Sequence, residues 1–308
     1  MKTAKSQKDR LKYILIKYHM FYIMMMPGLI FLLIFKYLPM YGLIISFQDF
    51  NIFSGVNGSP WVGFAQFQRL FQSHEFYQVF RNTLLINVYK IVFFFPIPIL
   101  LAIMLNEVRI TVFKRSVQTI IYLPHFISWV VVSGMMITIL SPNNGLVNII
   151  IKIFGGESIS FLMNKNYFRS ILVLSSIWKE AGWSAIVFLA AITGIDMELY
   201  DSAKVDGAGR IKQIIHITLP GLLSTIVLML IMRLGRLLVG GVDQVLMLYN
   251  PVVYEVGDII QTFVYRMGLG KSEYSFTTAV GLFDSVIGFI LIISGNKVSK
   301  NLLGKSIW

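Results

Sequence analysis

Seven charged residues inside apolar runs of this sequence are the side chains best placed for chemistry. They are Lys90, Lys179, Glu180, Arg233, Arg236, Asp243 and Asp284. A charge within a lipid-embedded segment is costly, so such residues usually face a cavity or a partner helix. Two interpretations stay open: the charges pair between helices or subunits, or they line a polar path for a solute.

Arg233 and Arg236 favour one kind of solute. They stand three residues apart and would share a helix face, with Asp243 two turns beyond on roughly the same side. Because guanidinium binds carboxylate through two parallel hydrogen bonds, the pair would suit a ligand with carboxylate groups. The hypothesis is a path for an acidic ligand.

The sequence contains no familiar catalytic or metal-binding set. Its four histidines are scattered without metal-ligand spacing, and it has no cysteine. Two Gly-Lys-Ser tripeptides, at 270–272 and 304–306, lack the earlier glycine of a phosphate-binding loop. We predict no catalytic residue, no metal and no cofactor bound by this chain, so ATP hydrolysis would occur on a separate subunit.

Composition indicates a membrane protein. Of 308 residues, 56% are hydrophobic and 14% are charged, whereas a soluble domain averages about 25% charged residues. The net charge of +12 comes from basic residues spread over several loops, without a single patch. We interpret them as a topology signal, and expect contact with membrane lipid but not with nucleic acid.

Six apolar runs are long enough to cross a bilayer, which takes about 20 residues of helix. They cover residues 20–47, 79–105, 117–140, 169–193, 219–247 and 275–296. The runs are continuous rather than alternating, which disfavours a β-barrel. The predicted fold is an all-α membrane protein with six transmembrane helices, kinked or tilted where Pro27, Pro39, Pro96 and Pro98 interrupt the first two runs.

Basic residues also predict the orientation. Fifteen Lys and Arg residues lie in the N-terminal arm, at 106–116, at 197–220 and in the tail, against five in the opposite loops. Cytoplasmic loops carry such an excess, so both termini are predicted to be cytoplasmic. The predicted organisation is a basic arm at 1–19, a six-span domain at 20–296 with an uncleaved first span, and a cytoplasmic tail at 297–308.

The three loops on the opposite side are rich in aromatic and turn-forming residues. The first, at 48–78, is either an interfacial aromatic belt or a cap that meets an extracellular partner. The second has a turn at 142–145 followed by an amphipathic piece, and the third is predicted to contain a short helix at 254–266.

The polar segment at 197–220, called the coupling loop below, has the pattern of two short amphipathic helices around a hinge. Gly207-Ala208-Gly209 separates them, because glycine reaches positive φ without steric cost. Pro220 is expected to open the next apolar run. A helix–turn–helix on the membrane surface would offer another subunit a rigid binding element.

This segment resembles the EAA loop of ATP-binding-cassette (ABC) importer permeases, whose pattern is E-A-A-x3-G-x9-I-x-L-P. The same spacing joins Asp201-Ser202-Ala203, Gly207 and Ile217-x-Leu219-Pro220, with Asp for Glu and Ser for Ala at the first two positions. Stretches at 37–50, 82–107, 122–135, 243–269 and 274–289 extend the resemblance to the binding-protein-dependent sugar permeases of the MalF-like superfamily. Within it, the chain is most similar to the LplB-like branch for polysaccharide or oligosaccharide uptake.

The resemblance implies a type I ABC importer permease in a bacterial plasma membrane. It would form a heterodimer with a second permease and bind two ATP-binding subunits that hold ATP and Mg²⁺. An extracellular solute-binding lipoprotein would deliver an oligosaccharide from a complex polysaccharide, whether neutral or acidic.

The resemblance also implies a mechanism, in which the coupling loop sits in a groove of the ATPase and moves as a lever. The residues implied to couple to the ATPase are Glu198, Asp201, Ser202, Ala203, Asp206, Gly207 and Ala208. For Asp201, local pairing with Lys204 is the alternative.

The alternatives to this function are a secondary carrier, an ABC permease for a non-sugar solute and a membrane-embedded enzyme. A secondary carrier would have an inverted repeat with interrupted helices; no such repeat is evident, and Asp284 is the one acid suited to bind an ion. An ABC permease for a non-sugar solute, such as a polyol phosphate, would share the features above. A membrane-embedded enzyme would need a catalytic pair at the bilayer face, and the sequence contains none.

Replacing both Arg233 and Arg236 with Gln should abolish uptake of acidic ligands, because a neutral amide cannot form the charged bidentate pair. The coupling loop should still couple to ATP hydrolysis, since neither change touches it. Uptake by cells and ATPase activity of the purified complex would measure the two effects. Unchanged uptake would contradict the hypothesis.

Overall fold

A computed structural model describes residues 13, 16–235, 237–238 and 241–303 of the chain. This part of the chain is helical and contains no strand, only an isolated bridge between Gln48 and Trp61. The fold is therefore all-α, as predicted. The first six described helices are α1 (His19–Leu32), α2 (Gly55–Gly58), α3 (Ala65–Gln72), α4 (His74–Tyr89), α5 (Pro96–Glu107) and α6 (Thr111–Tyr122).

The remaining described helices follow along the chain. They are α7 (Trp129–Ile139), α8 (Leu146–Ile153), α9 (Lys165–Thr193), α10 (Met197–Val205), α11 (Arg210–Gln213), α12 (Leu219–Gly235), α13 (Val242–Leu248), α14 (Tyr254–Gly257), α15 (Ile260–Tyr265) and α16 (Tyr274–Leu303). Single π or 3-10 turns join several of them into longer helices.

Five continuous helical segments are long and apolar enough to cross a membrane. They are His19–Phe47, His74–Glu107, Lys165–Thr193, Arg210–Gly235 and Tyr274–Asn301. A sixth span is completed only by α6 and α7 together, which meet at a bend of 100°. The span predicted at 117–140 is therefore two helices joined at a bend, which the sequence did not indicate.

The bend between α6 and α7 has a local cause. Pro124 lies in a 3-10 turn, Leu123–Phe126, and has no N–H to continue the helix. Ser128 then starts α7 as an extended N-cap residue whose hydroxyl accepts a hydrogen bond from the amide of Val131. The chain therefore changes direction in the middle of an apolar run.

Three π turns share a sequence signature. Each precedes a proline by two residues: Leu33–Tyr37 precedes Pro39, Lys90–Phe94 precedes Pro96, and Ile214–Thr218 precedes Pro220. A proline cannot donate to the carbonyl four residues earlier and clashes with it, and in each case that carbonyl lies inside the π turn. The wider turn accommodates the ring, so the helix continues through the proline.

The fifth span differs from the prediction at both ends. Its helix begins at Arg210, well before Pro220, so the second half of the coupling loop is the first part of the span. It ends at Gly235 rather than continuing to 247. A new helix, α13, starts after Gly241, which has φ of +81°. Arg236, which was predicted to lie on the same side as Asp243, is outside the described residues.

Small residues bring the central spans together. Ala102 of α5 and Ala185 of α9 are fully buried in one cluster with Phe188, Ile192 and Leu222. Small side chains at such contacts let helices approach closely, which is how helices associate in lipid. Gly182, on the same helix as Ala185, lies directly against the backbone of Ile121 at the end of α6.

The first span makes a different kind of surface. No residue of α1 is buried, and contact with the rest of the chain comes from the following 3-10 helix, Leu38–Phe47, which packs on α16. The span is apolar on all sides. Its surface is therefore suited to lipid or to another membrane subunit.

On the loop side opposite the coupling loop, one ion pair joins the first loop to the third, a second lies within the third loop, and a third joins Lys165 of α9 to Glu255 of α14. Both guanidinium nitrogens of Arg69 donate to the Glu273 carboxylate, at 2.6 and 3.1 Å, which holds the pKa of Glu273 below its usual range. Arg266 pairs with Asp258 at 2.8 Å. Burial raises the pKa of Asp258, and the bonds from Arg266 and Thr262 oppose that rise.

The loops on this side match the predictions only in part. The amphipathic piece after the turn at 142–145 is α8. The helix predicted at 254–266 is instead two helices, α14 and α15, because Asp258 is extended and accepts a hydrogen bond from the hydroxyl of Thr262 at 2.7 Å. The first loop contains α2 and α3 and exposes Phe53 and Trp61, which leaves both interpretations of it open.

The ends of the chain are described unequally. Helix α16 continues to Leu303, so the first part of the segment predicted as a tail at 297–308 is helical. Residues 304–308 lie outside the described residues. The predicted basic arm at 1–19 also lies mostly outside them, since only 13 and 16–19 are described.

Replacing Gly182 with Ala should destabilise the protein by about 1–3 kcal/mol, because a Cβ there would overlap the carbonyl oxygen of Ile121. Thermal unfolding in detergent would measure the loss. Gly134 of α7 is the matched control, since a Cβ there meets nothing within 4 Å. Its replacement with Ala should leave the unfolding temperature unchanged or slightly raised. Equal behaviour of the two variants would contradict this packing.

Candidate functional site

A cavity of about 540 Å³ lies between α4, α9, α12 and α13. Four of the seven charged residues singled out from the sequence line it: Lys90, Glu180, Arg233 and Asp243. They come from segments far apart in the chain, so the fold and not the local sequence brings them together.

Local backbone features position each of these charges. Lys90 is the first residue of a π turn, a feature that often marks functional sites. Arg233 lies in the last turn of α12, with its guanidinium carbon 4.4 Å from the centre of the Phe94 ring. Asp243 lies in the first turn of α13, where a helix N-terminus favours a negative charge.

Gln244 holds the Lys90 ammonium in place. Lys90 Nζ donates to Gln244 Oε1 at 2.8 Å, and Ser176 donates to the same oxygen at 3.1 Å. The Gln244 amide donates to the carbonyl of Leu172 at 2.7 Å and to the Ser175 hydroxyl at 2.8 Å. Gln244 is completely buried, so its side chain has no freedom to move away from Lys90.

The charges on the cavity wall do not pair with one another. Within the described chain, no carboxylate lies within 4 Å of Lys90 or Arg233. Glu180 is near enough to act electrostatically on both bases. Among the described residues the four charges of the cavity wall therefore form no ion pair, and both interpretations of them stay predictions.

Of the remaining three predicted residues, two are described, and neither lines the cavity. Lys179 is buried and donates to the carbonyls of His125 at 2.7 Å and Pro124 at 3.4 Å, beside the bend between α6 and α7. Asp284 is buried and accepts from Gln261 at 3.2 Å. Their assignment to the path stays a prediction. Arg236 lies outside the described residues.

Uncharged residues complete the wall, and sequence reasoning missed them. Half of them are aromatic or carry a hydroxyl or amide group: Asn87, Phe94, Phe95, Trp129, Ser184, Phe188 and Gln244. Gln244 could have been noticed as a polar residue beside Asp243 in an apolar run. The aromatic residues give no such signal, because they are common throughout these spans.

The coupling loop folds as two helices around a glycine, as predicted. Asp196 caps α10 by accepting a hydrogen bond from the amide of Glu198 at 3.0 Å. The helix ends in a Schellman motif: the amide of Ala208 donates to Ala203 at 2.8 Å and that of Gly207 to Lys204 at 3.0 Å. Gly207 has φ of +75°, which is why glycine is required there.

Three contacts fix the coupling loop to the spans. Arg210 pairs with Glu107, the last residue of α5, at 2.9 Å. The Tyr200 and Thr218 hydroxyls are 2.9 Å apart, and Gln213 donates to the carbonyl of Ala208 at 2.8 Å. The loop therefore continues into the fifth span and contacts the second span through Arg210.

The residues predicted to couple to the ATPase are mostly accessible. Glu198, Asp201, Ser202, Asp206 and Gly207 are exposed, and Ala203 and Ala208 are half-buried. Asp201 pairs with Lys204 at 2.8 Å, which is the local alternative considered for it. The pair is exposed to solvent, so it contributes little stability and can open.

Long apolar helices around an internal polar cavity, with an exposed polar loop tied to two of them, define a multi-pass membrane transport protein. Residues 94–303 match the family model described as a binding-protein-dependent transport system inner membrane component. The chain belongs to this family. It is a membrane subunit of an ABC transporter and not an enzyme.

Individual relatives agree with this assignment. The chain is 46% identical over 304 residues to the polygalacturonan/rhamnogalacturonan transport system permease protein YteP of Bacillus subtilis, covering 99% of this chain and 95% of YteP. It is 46% identical over 279 residues to the protein LplB of the same organism, covering 91% and 88%. The predicted likeness to the LplB-like branch is thereby confirmed.

A solved structure confirms the predicted fold. The chain is similar, with a TM-score of 0.89 and 41% identity, to a chain of a bacterial alginate ABC transporter in complex with an alginate pentasaccharide-bound periplasmic protein. The similarity covers 97% of this chain and 100% of that one. The fold is that of an ABC importer permease in a cell membrane.

Replacing Gly207 with Ala should loosen the end of α10, because positive φ costs a residue with a Cβ about 1 kcal/mol. Hydrogen exchange at residues 206–208 should then be about fivefold faster. Gly194, at the end of α9, has an ordinary φ of −87°, so its replacement with Ala is the control and should change nothing. Equal exchange in both variants would contradict the assigned role of Gly207.

Proposed function

We propose that this chain is one of two different permease subunits of an ATP-driven importer for oligosaccharides derived from complex polysaccharides. The observation that carries the proposal is the cavity, because it places charges, amide and hydroxyl groups beside aromatic rings inside the membrane. Such a wall can exchange hydrogen bonds with sugar hydroxyls and stack on sugar rings. Transport of pectin-related polymers and alginate by similar permeases supports the same solute class.

A second permease would complete the solute path. Two features of this chain support the pairing: the cavity is open on one side, and α1 has no buried residue. A related subunit could cover both surfaces. Heterodimer formation would then supply the missing wall of the cavity and remove apolar surface of α1 from lipid.

The coupling loop would bind the ATPase, which would hold ATP and Mg²⁺. Its exposed face combines acids with apolar side chains, including Val205 at 88% and Ile211 at 74% exposure. Exposed apolar residues on a polar loop are typical of a protein interface. Closure of two ATPases would pull α10 and α11, and the attached helix Arg210–Gly235 would tilt the cavity wall.

An extracellular lipoprotein would deliver the sugar on the opposite side. The first loop supports this role, since Phe53 is 96% exposed at its tip and Trp61 is 65% exposed. The alginate transporter to which this chain is similar is seen with a sugar-bound periplasmic protein. The alternatives, a secondary carrier or an ABC permease for a non-sugar solute, would lack sugar-dependent stimulation by such a protein.

Replacing Val205 with Asp should reduce both the ATPase that co-purifies with this chain and ATP-driven oligosaccharide uptake by about tenfold, because a charge would enter the apolar contact. Phe53→Asp is the matched control: an equally exposed apolar residue on the opposite side. It should leave ATPase recovery unchanged. Normal ATPase recovery with Val205→Asp would show that this loop is not the coupling site.

A further inference from the structure

Two bases and two acids line the cavity: Lys90, Arg233, Glu180 and Asp243. Glu180 is near enough to act electrostatically on both bases. Neither Lys90 nor Arg233 has a carboxylate within 4 Å in the described chain. Both bases on the wall are therefore without a direct ion-pair partner among the described residues.

We propose that Lys90 and Arg233 form a subsite for one carboxylate of a uronate-containing oligosaccharide. The proposal rests on the proposed function, because it takes the cavity as the solute path. A carboxylate of the solute would supply the direct ion-pair partner that both bases lack in the described chain. The subsite would therefore favour an acidic sugar over a neutral one.

Lys90 is prepared for such a ligand. Its ammonium can donate three hydrogen bonds, and one of these goes to a neutral acceptor, Gln244. Gln244 is fully used by Lys90, Ser175, Ser176 and Leu172, so it offers the ammonium no further partner. A buried cation with a neutral partner is costly unless a counter-ion arrives.

Arg233 is prepared in a different way. Its guanidinium stacks on Phe94, which is itself buried, and this contact fixes the plane of the group. Stacking uses the face and not the edges, where the N–H groups lie. A carboxylate can then bind at the edge through two parallel hydrogen bonds.

Aromatic residues would accommodate the rest of the sugar. Trp129 and Phe95 lie on the same wall as the two bases. A charged group at one point and ring faces at another would orient a uronate unit. Glu180 would accept hydrogen bonds from its hydroxyls, which explains why an acid stands beside a subsite for an anion.

The test uses the complete importer, with its second permease, ATPase and binding protein, in proteoliposomes. Uptake per ATP hydrolysed is measured with trigalacturonate and with the same trisaccharide after reduction of its carboxyl groups. Lys90→Met should reduce trigalacturonate uptake per ATP by about tenfold, the effect of losing a hydrogen bond to a charged group. Lys90→Arg should retain most of it. Uptake of the reduced trisaccharide should fall much less, so the ratio of acidic to neutral uptake should decrease.

A second buried lysine provides the matched control. Lys179 is as buried as Lys90 but bonds to backbone carbonyls away from the cavity. Lys179→Met should reduce the amount of folded complex without changing the ratio of acidic to neutral uptake. The same loss of preference in both variants would overturn the subsite.

The remaining outcomes separate the subsite from the proposed function. Lys90→Met could instead reduce uptake of both trisaccharides equally and also lose the co-purifying second permease. That result would place the partner of Lys90 on the second permease and overturn the subsite. If the wild-type importer takes up the neutral trisaccharide but not trigalacturonate, the subsite is overturned while the importer function stands. Absence of ATP-driven uptake of any oligosaccharide by the wild type would overturn the proposed function itself.

Discussion

The cost of a charge in lipid is the constraint on which this structure depends. Lys90 lies in the middle of an apolar helix, and its ammonium is kept there by one buried amide, Gln244. That amide is held in turn by α9, through Leu172 and Ser175. Three helical segments thus meet at one polar point. Because a misplaced amide would leave the ammonium without any partner, the positions of α4, α9 and α13 are strongly coupled.

The fifth span links this point to the cytoplasmic surface predicted for the coupling loop. One helical segment runs from Arg210, which pairs with Glu107, to Arg233 on the cavity wall. Twenty-odd residues of helix cover about 35 Å, so a displacement at one end reaches the other without an intervening loop. The π turn before Pro220, Ile214–Thr218, is the place where this helical segment departs from α-helical geometry. A tilt about that turn would change the cavity wall while α10 stays with its partner.

Much of this could be predicted from the sequence, because the signals are local. Apolar runs predicted the spans, and the spacing from Asp201 to Pro220 predicted the coupling loop and its glycine turn. The bend at Pro124 was missed, since a proline inside an apolar run ends a helix in one place and is absorbed by a π turn in another. The choice depends on which group hydrogen-bonds to the backbone carbonyls beside the proline. Here Lys179 of α9 donates to the carbonyl of His125. That contact joins residues far apart in the chain, so the sequence alone does not reveal it.

The most direct test of the account is whether the cavity opens to opposite sides of the membrane in turn. The chain has no cysteine, so Ser184→Cys on the cavity wall gives one thiol on this subunit. Its modification by a membrane-impermeant thiol reagent can be followed from each side of the membrane. The account predicts modification from one side in the resting importer and from the opposite side when the complex is trapped with ATP and loaded binding protein. Modification from the same side in both states would contradict it.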